Sequence, residues 1–285
     1  MFRSLNARAL GISAPLDDAL TMARSNNFAG LDLVMPELLE IAAQSSVLEI
    51  KDRFAAAEIR PGAWSLPVSF RSDEATYQAD LAELPRAAAL AQALGTPWCS
   101  TVIMPFSDER DYAANLAFHV ARLRPAAQIL SDYGCRLGLE FIGPRTLRAG
   151  HTYPFISTIE GALDLGAALG TGNVGLLLDA FHWYTSHASL GDIQRLVAHD
   201  IVYVHMNDAV PGRGADQQLD QERDLPGATG VIDIVSFLQA VAGTNFDGPV
   251  AVEPFNAAVL ALEPTARARV AGESLARVWA QADCP

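Results

Sequence analysis

Residues 174–184, VGLLLDAFHWY, decide how this chain is read. Gly175 and Leu176–Leu178 form a continuously apolar run, as a strand buried on both faces requires, and Asp179 and His182 follow at its carboxyl end. Sheets with one wet face alternate instead, so the run points to parallel strands covered by helices. Three other stretches repeat the design. RLGLEFI (136–142) carries Glu140 near its end, IVYVH (201–205) ends in His205 with Asn207 and Asp208 behind it, and VAVE (250–253) ends in Glu253.

Between and after these strands lie helical patterns near 157–170, 190–199, 232–243 and 264–281. Toward the amino end the same alternation continues more faintly. Ala7–Ile12 reads as a weak strand, followed by a helix that Pro15 opens with Asp17 and Asp18 in its first turn. Gly30–Met35 alternates like a strand with Asp32 inside it, and helical spacing then runs from Pro36 to about Glu58. Pro61–Val68 is a strand candidate ahead of an Ala-rich helix over Glu74–Leu94, with Gly95 as its C-cap. Thr96–Met104 is the next strand, and Arg110–Tyr133 an amphipathic helix closed by Gly134.

Eight strand–helix pairs joined by right-handed crossovers predict a (β/α)8 TIM barrel over residues 1–285 as a single domain. A doubly wound sheet is the competing arrangement, but no GxGxxG follows the first strand. Active residues of such barrels sit at the carboxyl ends of the strands, where Glu140, Asp179, His205 and Glu253 all lie. Any one of them alone reads as an ion pair or a loop carboxylate. Together, three carboxylates and an imidazole at consecutive strand ends form a ligand set for one divalent ion such as Mn, Mg, Co or Zn.

Composition narrows the classes further. The 285 residues are half apolar, enough for a full core, and the formal charge of −13 disfavours nucleic acid and anionic membrane partners. Three Cys without CxxC spacing indicate neither a disulfide framework nor a thiolate zinc site. With no signal-like amino terminus and no long apolar run, the expected location is the cytoplasm.

The stretches GLEFIGP, VGLLLDAFHWY, VYVHMND with ERDLPGATGVID, and AVEPF resemble the sugar phosphate isomerase/epimerase group of xylose isomerase-like barrels, nearest among them the inosose (2-keto-myo-inositol) isomerases. The likeness is specific from about Cys135 to Asn256. It implies that Glu140, Asp179, His205 and Glu253 hold one divalent ion, that the two Glu act as acid and base, and that His182 binds substrate. The substrate it implies is a small polyol-derived ketone or keto-sugar, and relatives commonly assemble as homo-oligomers. Endonuclease-like members carry many more His than the six present here. Ketohexose 3-epimerases place an Arg soon after the His of the seventh strand, where this chain reads MNDAVPGRG and Arg213 lies further on. The RDLPGATG segment instead resembles the inosose isomerase loop, a motif shared with dehydratases.

The chemistry expected of such a site is proton transfer through an enediolate, with Glu140 and Glu253 on either side of the substrate. Proton return to the same carbon epimerises, return to the neighbouring carbon isomerises, and loss of a β-hydroxyl dehydrates, as in a 3-dehydroshikimate dehydratase. A non-catalytic sugar-binding barrel is the alternative outside enzymology. His182 is expected to donate to the developing oxyanion, Arg223 to grip a substrate oxygen through its planar fork, and Arg145 to cover the site. Asp208 is expected to orient an imidazole or a substrate hydroxyl, and the segment 208–230 to fold over the mouth as a lid.

Overall fold

The apolar run of 174–179 is one strand of a closed parallel sheet in the computed structural model, which describes residues 1–284. The strands are β1 (Phe2–Leu5), β2 (Gly30–Leu33), β3 (Arg60–Ser65), β4 (Trp98–Ile103), β5 (Arg136–Phe141), β6 (Val174–Asp179), β7 (Ile201–Met206) and β8 (Pro249–Val252). Each pairs in parallel with its sequence neighbours, and β1 closes the ring against β8. This is the expected (β/α)8 barrel.

The second half matches its sequence pattern closely and the first half departs from it. The first strand is Phe2–Leu5, not Ala7–Ile12; the latter stretch is a turn whose Leu10 and Ile12 are buried in the outer core. Ser4 looks wrong for an apolar strand, but it faces a polar partner inside the barrel. Helical spacing over 36–58 is broken at Ser45 and Ser46 into Met35–Gln44 and Val47–Ala57, because the Ser46 hydroxyl caps the second helix at the Glu49 amide, 3.2 Å away. The helix expected over 190–199 is only Leu190–Gln194 plus a single tight turn at 198–200.

Two apolar layers hold the barrel. The larger lies between strands and outer helices, and includes Leu123 and Leu130 of the helix Tyr112–Asp132 and Phe237 of the helix Ile234–Gly243. The smaller comprises Ala63, Leu177, Tyr203 and Ala251, which share the inward parity of the strand-end acids. Because Ala63 and Ala251 are small, the Tyr203 ring has room to cross the lumen toward β1 and β2. One extra residue in β3 between the Leu31–Pro61 and Leu33–Trp64 rungs makes a bulge, and it turns the Ala63 amide toward Asp32. Among the described residues no helix is long and apolar enough to cross a membrane.

Candidate metal centre

Four neighbouring strands deliver the cluster. Glu140 is the penultimate residue of β5, Asp179 the last of β6, His205 the penultimate of β7, and Glu253 follows β8 directly. Asp179 and His205 are register partners. One ligand atom from each of the four residues can be chosen so that all lie within 4.8 Å of one another. His205 Nδ1 stands 3.4 Å from Glu253 Oε2, 3.6 Å from Glu140 Oε1 and 3.7 Å from Asp179 Oδ2.

Those spacings are too long for good hydrogen bonds, and both His205 ring nitrogens and Glu140 Oε1 are buried without a partner. A buried orphan of this kind costs about 1–3 kcal/mol. A cation among the four groups would satisfy Glu140 Oε1 and His205 Nδ1, the nitrogen that faces the carboxylates, and an oxygen-rich set with one imidazole suits a hard or borderline divalent ion. The residues therefore fit the ion that their pattern implies. Glu253 keeps 15% of its side chain exposed where Asp179 keeps none, so the cluster opens toward the mouth on the β8 side.

Charge is distributed unevenly across the set. Burial pushes Glu140 up to about 7, with the Glu253 charge adding to the shift and His205 opposing it. Burial also acts against ionised Asp179, but Arg223 and the two His hold its carboxyl well below the usual range. In Glu253 the same burial is outweighed by His205 and Arg223, and the pKa falls. His205 is the converse: burial would lower it, yet the three surrounding carboxylates raise it well above its ordinary value.

Arg223 is the fifth member. Its Nη1 donates to Asp179 Oδ2 at 3.0 Å and to Glu253 Oε2 at 2.9 Å, while Nη2 donates to Asp220 Oδ1 at 3.0 Å. The rings of Phe181 and Phe255 flank the guanidinium at 4.8 and 4.7 Å, and the residue is 2% exposed. It is thus no solvated loop arginine. Asp179 is fully engaged, because Oδ1 also accepts from the Phe181 and His182 amides at 2.7 and 3.1 Å and both oxygens accept from Asn207 Nδ2. As N-cap of the helix Ala180–Thr185 it places His182 in a helical turn rather than in a loop.

His182 is buried, and its pKa is pushed down to about 4, chiefly by burial, so the ring is neutral. Its Nε2 lies 3.2 Å from Arg223 Nη2 and 3.7 Å from Glu140 Oε1, and its Nδ1 lies 3.3 Å from the Gly143 amide. A neutral imidazole accepts at one nitrogen, so one of the two N–H groups bonds it and the other only packs.

Two expected substrate contacts are not brought to the cluster. The Asp208 carboxylate is completely buried and accepts from the amides of Ala209, Thr229, Gly230 and Ile232, which commits it to holding the segment 208–230. Arg145 is exposed and faces Asp216 at 3.6 Å, outside the cavity. His151 pairs with Asp108 on the rim. Asp220, which ties Arg223 down, has only its i−3 spacing from that arginine as a sequence signal. Asp32 and Tyr203 were visible only as a lone acid and a lone phenol inside apolar strands.

Residues 20–279 match the model of the xylose isomerase-like TIM barrel family. The inosose isomerase of Halalkalibacterium halodurans is 27% identical over 222 residues, covering 78% of this chain and 76% of the relative. A xylose isomerase domain protein from Alicyclobacillus acidocaldarius superposes with a TM-score of 0.89 at 28% identity, over 99% of both chains. The IOLI protein, crystallised with a zinc atom, superposes with a TM-score of 0.79 at 21% identity over 98% of both chains and shares the fold. With its closed barrel and a matched span that reaches from the first helix to the last, the chain belongs to the xylose isomerase-like TIM barrel family.

Proposed function

We propose that this protein is a divalent-metal-dependent isomerase or epimerase of a keto-inositol or keto-sugar, in which Glu140 and Glu253 move the proton. The observation that carries this reading is the division of labour among the acids. Asp179 has every oxygen engaged by fixed donors, whereas Glu140 retains an unpartnered buried oxygen and Glu253 faces the mouth. The relatives named inosose isomerase support the substrate class.

A divalent ion held by Glu140, Asp179, His205 and Glu253 supplies Lewis acidity, which makes the C–H beside a bound carbonyl acidic. Glu253, kept ionised beside Arg223, takes the proton from that carbon, and the electron pair of the broken C–H bond moves into the carbon framework to give an enediolate. Glu140, on the β5 side of the cluster, returns a proton to the same or the adjacent carbon. In the tautomer that accepts from Gly143, His182 carries its proton on Nε2, 3.7 Å from Glu140 Oε1, and donates it to the substrate oxyanion. Arg223, buried against two rings, fixes Glu253 Oε2 in place.

The test is solvent deuterium exchange into 2-keto-myo-inositol by the manganese-loaded protein. Glu140→Gln and Glu253→Gln each lower exchange by about 10²–10⁴-fold. Retained exchange in both variants removes the acid/base assignment, and a product lighter by one water redirects the reading to a dehydratase.

A further inference from the structure

Asn6 follows β1 and Asp32 lies in β2, on the side of the barrel away from Glu140. Continuing the β1–β2 register from Leu5–Leu31 puts them on one rung, and continuing the β1–β8 register from Arg3–Val250 brings Asn6 level with Glu253. Neither residue belongs to the ion cluster. What joins them to it is Tyr203, two residues before His205 on the same face, whose ring meets the His205 ring edge-on at 4.6 Å. The Tyr203 hydroxyl donates to Asp32 Oδ2 and accepts from Asn6 Nδ2 at 3.3 Å.

The remaining atoms of both side chains are pinned. Asp32 Oδ1 accepts from Ser4 Oγ at 2.6 Å and from the Ala63 amide at 3.0 Å, and Asn6 Oδ1 accepts from the Ala9 amide at 3.0 Å. Each has one unused valence, a lone pair on Asp32 Oδ2 and an N–H on Asn6 Nδ2, and both flank the phenol oxygen. Ser4 and Tyr203 are buried, while Asn6 and Asp32 retain partial exposure. A free acceptor beside a free donor, both held rigid, complements a hydroxyl, which donates and accepts at once.

The geometry points to a second subsite, built by Asp32 and Asn6, that grips a hydroxyl of a polyhydroxylated ketone on carbons remote from those held at the ion cluster. It rests on the proposed function. Its consequence is selectivity: a substrate lacking the distal hydroxyl leaves both groups without a partner, a loss that sites built for hydroxyl recognition turn into strong rejection. This is a specificity contact, separate from the acid/base pair and from the ion.

The experiment compares 2-keto-myo-inositol with 2-hydroxycyclohexanone, which keeps the α-hydroxyketone and lacks every other hydroxyl, in deuterium exchange by the manganese-loaded protein. The native protein prefers the first by about 100-fold or more in kcat/KM. Asp32→Asn keeps its amide oxygen where Ser4 and Ala63 donate, so its NH2 replaces the free acceptor. Asn6→Asp keeps the acceptor for Ala9 and loses the donor. In each variant the preference collapses by about 10–100-fold, mainly through KM for the keto-inositol. Parallel slowing of both ketones, or an unchanged preference, overturns the subsite and leaves Asp32 as a support for Tyr203. Absence of exchange by the native protein with either ketone overturns the proposed function, and the subsite with it.

Discussion

Asp179 and His182 are three residues apart and do different work. Asp179 accepts from two amides, Asn207 and Arg223 while facing His205, so Asp179→Asn removes the charge that balances Arg223 and turns an acceptor into a donor. Manganese binding measured by calorimetry is expected to weaken at least 100-fold in that variant. His182→Ala is instead expected to keep manganese within a few-fold and to lower kcat about 100-fold, since on the proposed function only a donor to substrate is lost. Equal loss of the ion in both variants makes the whole stretch a support for it. Asp32 carries a pH signature of its own. Burial raises its pKa to about 6 from 3.8, so the folded state holds the proton more tightly, and that stabilisation is present below about pH 4 and lost as pH rises through 6. Asp32→Asn lacks the effect, and its thermal unfolding temperature relative to the native protein is expected to climb between pH 4 and 7. The four cluster residues were legible because each ends a buried apolar run. The fate of Asp208 was not, because its partners are backbone amides that no side-chain pattern announces.

At the scale of elements, the segment 208–230 was recognisable as too long for a minimal loop, and it does reach the cluster, delivering Asp220 and Arg223. Its anchor is Asp208, paired through the backbone with Asp224 and holding four amides. Asp208→Ala strands those amides and is expected to destabilise the protein by about 2–4 kcal/mol. Limited proteolysis then cuts first between residues 210 and 222, while the native segment resists. The fainter first half of the chain was harder to read for a physical reason. Ser4 and Asp32 face inward, where they satisfy each other and Tyr203, so the strands that hold them lose the continuous apolar signature. The break at Ser45 and Ser46 escaped because a hydroxyl cap restarts helical spacing almost in phase.

At the scale of the molecule, eight alternating units sufficed to give the barrel, because parallel closure follows from connection length and handedness rather than from any single strand. On the proposed function, ion binding is coupled to protons. The three carboxylates raise the His205 pKa well above its usual value, so on the proposed function an ion entering the cluster competes with a proton on that ring. Calorimetry in buffers of different ionisation enthalpy is expected to show proton release, with apparent affinity rising with pH until the raised pKa is passed. The sign for stability is the reverse. The contribution of the raised His205 is fully present below about pH 6.5 and fades as pH climbs through the folded value, and saturating manganese offsets the loss.

The guanidinium between Phe181 and Phe255 has a further consequence. With Arg223 already bonded to Asp179 and Glu253, part of the negative charge is neutralised by the polypeptide itself, and the barrel is expected to assemble without a mineral template. On the proposed function, loading is then expected to follow folding and to be open to exchange. One purified batch stripped with a chelator is then expected to accept manganese, cobalt or zinc in turn without refolding.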